Sequence, residues 1–196
     1  MTKQAVNKKE ETRKRMVEAA GKSFRQFGFA GIGVDGIAKA AGVTSGAFYA
    51  HLGSKDAAFH MAVAAGLDEV IAAVPEFQKV YGSDWVMAFA DYYLGHGHRE
   101  DLASGCAMTT LTPEVVRAGE DQQASYEAKM TIIAGLVAEG LAGEPEEDRR
   151  TRAWGMLSVL IGGLNVARAM NSATVTEEIA DAVMKAAAQV AGPTVK

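Results

Sequence analysis

The chain has 196 residues, of which 48% are apolar and 22% are charged, a composition that supports a buried core and excludes a wholly disordered chain. Its single cysteine excludes an internal disulfide, and neither a signal peptide nor a membrane-spanning stretch is evident. We therefore expect a soluble, cytoplasmic protein with no membrane partner. The net charge of −4 divides into +5 over residues 1–60 and −9 over residues 61–196, as expected when one end meets a polyanion.

Apolar residues recur at spacings of three and four along the chain, which predicts helices and no strand. Gly28 and Pro75 are predicted to end the first and fourth helices, and Thr176 to begin the last. The predicted helices cover residues 7–27, 34–41, 45–52, 55–74, 85–95, 106–111, 113–141 or 119–141, 146–170 and 177–190. The predicted fold class is all-α, with an N-terminal domain over residues 1–55 and a larger helical domain over residues 56–196.

The second and third helices have the layout of a helix-turn-helix unit. They are joined by Gly42-Val43-Thr44, where Gly42 supplies the residue that adopts positive φ. Thr44 or Ser45 is predicted to cap the third helix. Phe48 and Leu52 lie four residues apart and are predicted to anchor this helix to the core beneath it.

The third helix also has the residues that a recognition helix needs. Small, polar residues at its N-terminus allow the backbone to approach base edges in the major groove. Tyr49 and His51 are predicted to face outward, where they would donate hydrogen bonds to phosphates. Lys55 lies in the first turn of the next helix, beside backbone N–H groups that also favour an anion.

The DNA-binding signature of the TetR family of bacterial transcriptional regulators is similar to the run Ile37-Ala38-Lys39-Ala40-Ala41-Gly42-Val43-Thr44-Ser45-Gly46-Ala47-Phe48-Tyr49-Ala50-His51-Leu52-Gly53-Ser54-Lys55. Upstream, Ala19-Ala20, Phe24 and Gly28 stand where the first helix of that family and its terminating glycine belong. The resemblance covers about residues 13–59. It implies an all-helical homodimer that binds a palindromic operator in double-stranded DNA. It also implies a C-terminal domain that holds an effector pocket and the dimer interface.

Carried over position by position, the resemblance implies that one set of residues contacts DNA bases, nearby phosphates or the DNA backbone. These expected DNA-binding residues are Gly33, Thr44, Ser45, Gly46, Ala47, Tyr49, His51 and Lys55. Gly33 departs from the family pattern, which has Ser or Thr there, and so lacks the hydroxyl that would cap the second helix and touch phosphate. A basic arm with Lys3, Lys8 and Lys9 is expected to reach a neighbouring groove.

The resemblance also places a mixture of aromatic rings, methionines and hydroxyls around the effector pocket. The expected ligand-binding residues are Phe89, Tyr92, Tyr93, Cys106, Met108, Tyr126, Met130 and Trp154. Such a lining suits an uncharged or amphipathic organic molecule. The alternative for each residue is an ordinary position in the core.

Residues 153–164 are apolar all round, which predicts burial on every side, and their glycines would let another helix approach closely. Together with the last helix they are predicted to form a four-helix dimer interface. Its expected residues are Leu157, Leu160, Ile161, Leu164, Ile179, Val183 and Val190. The alternative is an interior helix of a monomer, which would not hold two recognition helices about 34 Å apart.

Other chemistries have less support in the sequence. His96 and His98 lack the i, i+4 spacing of a helical metal site and a neighbouring cysteine, so no metal or other cofactor is expected. Cys106 precedes a predicted helix start and is a candidate redox sensor, with a small buried residue as the alternative. No catalytic motif is present, and we expect no enzyme. The alternative function is a ligand-binding or redox-sensing helical module without sequence-specific DNA recognition.

Overall fold

A computed structural model describes the backbone of residues 3–195 and the side chains of residues 8–195. These residues form eleven α-helices and no strand, apart from an isolated bridge between Leu141 and Thr194. The helices are α1 (Lys3–Gly31), α2 (Val34–Ala40), α3 (Ser45–Leu52), α4 (Lys55–Tyr81), α5 (Trp85–Leu94), α6 (His96–Glu100), α7 (Ala107–Thr110), α8 (Thr112–Val115), α9 (Glu120–Glu139), α10 (Glu146–Arg168) and α11 (Ala173–Ala191). The predicted all-α class, with a small helix-turn-helix part and a larger helical part, is confirmed.

The first three helices form a head, and α1 ends where the sequence predicts. Its backbone leaves helical geometry at Gly28, with φ 73°, and continues as one further turn to Gly31. The rings of Phe24, Phe29 and Phe59 lie 5.3–5.8 Å apart, which joins the end of α1 to the first turns of α4. Lys8 and Lys9 lie within α1 and not in an arm before it. Met1 and Thr2 lie outside the described residues.

The fourth helix is the longest element of the body and packs against α1, α5 and α9. The prediction that Pro75 ends it is wrong, because α4 continues to Gly82, where φ is 52°. Proline removes one helical hydrogen bond, but aromatic contacts stabilise the turn that follows Pro75. The Phe77 ring lies 5.5 Å from that of Tyr81 and 5.3 Å from that of Phe89. These aromatic contacts hold the last two turns in place.

Three other predicted boundaries are corrected by the structure. Residues 96–100 form the short helix α6 where a loop was predicted. Of the two starts predicted for the next long helix, 113 is wrong because residues 112–115 form the separate helix α8, and 119 agrees with α9, which begins at Glu120 after its N-cap Gly119. The last helix is capped by Ser172, whose Oγ accepts from the Val175 N–H at 3.4 Å. Thr176 lies inside that helix and donates its hydroxyl hydrogen to the Ser172 carbonyl at 3.0 Å.

Small residues of α10 allow α11 of the same chain to approach closely. A Cβ on Gly163 would lie 2.4 Å from Val183 Cγ1, and one on Gly155 would lie 2.6 Å from Val190 Cγ1. Val183 and Val190, predicted at a dimer interface, therefore fill the space above these glycines within one chain. The sequence pattern indicated close helix packing but not which two helices pack.

The predicted dimer interface is also wrong for three leucines. Leu157, Leu160 and Leu164 are 1%, 1% and 0% exposed within a single chain, so they have no surface left to offer a partner. Within a single chain Ser158 and Gly162 of residues 153–164 are exposed, so burial on every side would require a partner chain. Ile161 and Ile179 keep partial exposure and remain candidates for a contact with a second chain.

Within residues 3–195, the one helical stretch long and apolar enough to cross a membrane lies in residues 55–100. Its large side chains Phe59, Leu67 and Trp85 are buried in the core. Packing between helices accounts for its apolar character.

We predict that Gly163→Ala destabilises the protein and that Gly135→Ala stabilises it. The new methyl group at residue 163 would collide with Val183, and such overpacking costs about 1–3 kcal/mol. At residue 135 nothing lies within 4 Å of a Cβ, so only the helix gain of about 0.5–1 kcal/mol remains. Urea unfolding followed by circular dichroism measures both. Equal stabilisation by the two substitutions would contradict the close contact of α10 with α11.

Candidate functional site

The turn between α2 and α3 is a glycine-dependent helix end. Gly42 has φ 66°, its N–H donates to the Lys39 carbonyl at 3.1 Å, and the Val43 N–H donates to the Ala38 carbonyl at 2.9 Å. This pair of hydrogen bonds is the Schellman motif, which needs a left-handed residue at its centre. The predicted role of Gly42 follows directly from this geometry.

The third helix is capped at its N-terminus by a side chain and is held to the core by its buried face. Thr44 Oγ1 accepts from the Ala47 N–H at 3.2 Å, as an N-cap residue does. Phe48 and Leu52 are buried and hold the helix to the core. The opposite face exposes Gly46 and Tyr49, the latter with 54% of its surface accessible. That face is small at its start and polar further on, which suits a major groove.

Two expected DNA-binding side chains, those of Ser45 and His51, are less available for contact with DNA than the sequence indicated. Ser45 Oγ donates to Asp35 Oδ1 on α2 at 2.5 Å. The hydroxyl oxygen of Ser45 can still accept, but its proton is engaged. His51 is half-buried, and its Nδ1 is enclosed without a hydrogen-bond partner among the side chains of residues 8–195. Tyr49 is therefore the most exposed hydrogen-bonding side chain of α3.

Gly33 and Gly36 shape the start of the second helix. Gly33 occupies the N-cap with φ −93° and ψ 168°, and no side chain caps α2. Any phosphate contact at residue 33 is therefore limited to its backbone. A Cβ on Gly36 would lie 2.9 Å from Ile32 Cδ1, so this glycine leaves room for the Ile32 side chain over the helix start.

Lys55 lies where the head joins the body. It begins α4, whose N-cap Ser54 accepts from the Ala57 N–H at 3.0 Å. The Lys55 ammonium lies 4.4 Å from the centre of the Phe29 ring, within the range of a cation–π contact. The Phe29 N–H in turn donates to Glu114 Oε1 at 3.2 Å. One chain of contacts therefore runs from the body through Phe29 to Lys55.

A cavity of about 80 Å³ lies in the body between α4, α5 and the segment that precedes α7. Four of the eight expected ligand-binding residues line it, namely Phe89, Tyr92, Tyr93 and Cys106. His98 is a lining residue that the sequence did not assign to the pocket, since it stood out only as a weak metal candidate. The other four lie elsewhere: Met108 and Met130 are core residues, Trp154 packs against the core, and the Tyr126 hydroxyl lies 2.6 Å from Thr112 Oγ1.

Burial favours the neutral forms of three polar groups that line this cavity, those of Tyr93, Cys106 and His98. Burial raises the pKa of the Tyr93 phenol well above its usual value, and its hydroxyl lies 2.5 Å from Thr109 Oγ1. Burial also raises the pKa of the Cys106 thiol and lowers the pKa of His98. The His98 ring lies 4.7 Å from the Tyr92 ring and 5.7 Å from the Tyr93 ring. An uncharged, hydrogen-bonding molecule suits this lining better than an ion.

Metal ligation finds no support in the described side chains. Among residues 8–195 no group of three or more His, Cys, Asp or Glu side chains is placed to hold a metal ion. His98 Nδ1 instead lies 3.1 Å from the Tyr92 carbonyl oxygen, and His96 is exposed.

Comparison with known proteins agrees with the geometry of the head. Residues 16–61 match the model of a family described as bacterial regulatory proteins, tetR family. These residues therefore match a DNA-binding domain of the TetR type. The match supports a DNA-binding transcriptional regulator, and TetR-family regulators are in general not enzymes.

Solved structures share the fold of this chain along most of its length. E. coli NemR in its reduced form is 20% identical, with a TM-score of 0.71 over 88% of this chain and 95% of that chain. A TetR-family regulator from Agrobacterium tumefaciens is 15% identical, with a TM-score of 0.74 over 90% and 97%. One from Chloroflexus aurantiacus is 22% identical, with a TM-score of 0.68 over 97% and 100%. No curated protein sequence matches the chain.

We predict that Lys55→Ala weakens operator binding about tenfold and lowers the salt dependence of binding by about one unit in log–log slope, as for one lost phosphate contact. Lys79→Ala is the matched control, because Lys79 is exposed on the last turn of the same helix. Fluorescence anisotropy at several salt concentrations measures both quantities. An unchanged slope in Lys55→Ala would remove Lys55 from the DNA interface.

We predict slow alkylation of Cys106 by iodoacetamide in the native protein at pH 7, with a rate that rises at alkaline pH. The raised pKa of the thiol leaves little thiolate at neutral pH. The urea-unfolded chain, whose thiol has its ordinary pKa, is the control and should react faster at pH 7. A native rate above that of the unfolded chain would instead support a redox-sensing cysteine.

Proposed function

We propose that this TetR-family regulator is a cytoplasmic, homodimeric repressor that releases a palindromic operator when a small organic effector binds its body. The observation that carries the proposal is the continuity of α4. This helix begins at Lys55 beside the recognition helix and lines the interior cavity further along with Gly66 and Val70. A change at the cavity wall therefore has a rigid route to the DNA-binding side. We assign residues 1–55 to the DNA-binding domain and residues 56–196 to the effector-binding and dimerisation domain.

The proposed DNA contacts are Thr44, Ser45, Gly46, Ala47, Tyr49, His51, Lys55 and the backbone of Gly33. Tyr49 has the exposure that a phosphate or base contact requires, and Lys55 has a fixed cation at the start of a helix. The N-terminal end of α3 is free of large side chains. These features support entry of α3 into a major groove.

The proposed dimer surface is the outer face of the α10–α11 pair. Exposed small and apolar residues lie there, among them Gly162 and Val166 on α10 and Val175 and Ala182 on α11. Ile161 and Ile179 border them. A face of this kind pairs with its own copy around a two-fold axis, and a two-fold axis matches a palindromic operator.

The proposed effector is uncharged or amphipathic and binds at the cavity beside Tyr93 and Cys106. At about 80 Å³ this cavity is smaller than the roughly 300 Å³ or more of a typical ligand site. An effector would therefore move the wall formed by α4 away from α5. It would favour the state with the wider cavity, and the two heads would then no longer match adjacent major grooves.

Selection of random DNA duplexes by the purified protein tests this function. We expect enrichment of an inverted repeat whose half-sites are about one helical turn, or a multiple of it, apart. Titration of the enriched site at two salt concentrations should give weaker binding at the higher one. A protein refolded from denaturant removes any effector that co-purified. Failure of the refolded protein to enrich a site would refute the regulator proposal and favour a ligand-binding module without DNA recognition.

A further inference from the structure

A larger concavity lies between the head and the body of the molecule. It has a volume of about 510 Å³, within the range of about 300–1,000 Å³ of small-molecule sites and well above the 80 Å³ of the interior cavity. We call it the junction groove. The end of α1 contributes Phe29, the first turns of α4 contribute Asp56 and Phe59, and the segment from α8 to α9 contributes Glu114 and Gln122.

Gln122, which lines this groove, has a buried amide group without a hydrogen-bond partner in the described part of the chain. Its side chain is only 6% exposed, and its Nε2 is buried without a hydrogen-bond partner among the side chains and backbone of residues 8–195. A buried amide left unpaired costs about 1–3 kcal/mol. The adjacent Gln123 differs, since it is exposed and its Nε2 donates to the Val116 carbonyl at 3.1 Å. An acceptor atom of a bound molecule would satisfy Gln122.

The charges of the groove indicate which molecule that would be. Glu114 accepts from the Phe29 N–H and forms an ion pair with Arg117 at 3.9 Å, so these two opposite charges of the groove offset each other. Asp56 and Asp121 are exposed carboxylates that form no ion pair with the described side chains. The two phenylalanine rings add apolar wall. A ligand that matches this lining carries a positive charge, an apolar body and a hydrogen-bond acceptor.

We propose that the junction groove binds a small organic ammonium compound that bears a carbonyl acceptor. Its ammonium pairs with Asp56 and Asp121, its body contacts Phe29 and Phe59, and its carbonyl accepts from Gln122 Nε2. This site is separate from the interior cavity, and its ligand touches the head and the body together. Binding there holds Phe29, and with it the Lys55 ammonium, in the arrangement of this structure.

The probe we would use is 4-(aminomethyl)benzamide, which combines an ammonium, an aromatic ring and an amide carbonyl. Isothermal titration of the full chain without DNA should show saturable binding in the millimolar range or tighter. Gln122→Leu should bind roughly tenfold more weakly, because it loses the donor but keeps a side chain of similar length. Gln123→Leu, the matched control, should bind as the wild type does. Benzylamine, which lacks the acceptor, and 4-methylbenzamide, which lacks the ammonium, should both bind more weakly than the probe.

No saturable binding by the wild type, or equal binding by Gln122→Leu and the wild type, would overturn the proposal. A second measurement tests the unpaired amide itself. Without probe, Gln122→Leu should raise the midpoint of thermal unfolding relative to both the wild type and Gln123→Leu, since it removes a buried group without a partner. A lowered midpoint would mean that the amide is already satisfied, and would also overturn the proposal. Both measurements are made without DNA, so their outcome is independent of operator selection.

Discussion

The contact of α1 with the first half of α4 is the interaction on which the rest of this structure depends. Three phenylalanine rings, from Phe24, Phe29 and Phe59, join the two helices with centroid distances of 5.3–5.8 Å. Further along α4, Gly66 allows α7 to lie so close that a Cβ would come within 2.5 Å of that of Ala107. Arg25 Nε donates to the Ala103 carbonyl at 2.7 Å. The head is therefore clamped to the body through one shared helix.

Because of the α1–α4 contact, only a short chain of residues separates the body from Lys55. Lys55 lies one contact from Phe29 and two contacts from Glu114 of the body. A small displacement at either residue would therefore reach Lys55, one of the proposed DNA contacts, without a long pathway. Packed interfaces shift between discrete arrangements and do not deform continuously. The physical requirement for regulation is thus a second arrangement of the α1–α4–α8 contacts, which a ligand would favour or oppose.

The head was predictable from sequence because its determinants are local. The positive φ at Gly42, the cap by Thr44 and the four-residue spacing of Phe48 and Leu52 all act within a few residues. The body was less predictable, since its determinants are tertiary. Pro75 ends a helix by propensity, yet the ring of Phe77 packs against that of Phe89 and α4 continues. The pattern of α10 marks close packing, but only the structure shows that α11 of the same chain, and not a partner, occupies it.

The placement of the acidic residues explains how a chain of net charge −4 can carry a head that matches a DNA-binding domain. Carboxylates stand in the first turns of α9 and α10, at Glu120, Asp121, Glu146, Glu147 and Asp148, where they stabilise the helix dipole. The same charges repel a polyanion from the body. Attraction is left to the head, whose recognition helix α3 carries no acidic residue. Under the proposed function, charge selects the end of the molecule that meets DNA, and the shape of α3 governs which sequence it reads.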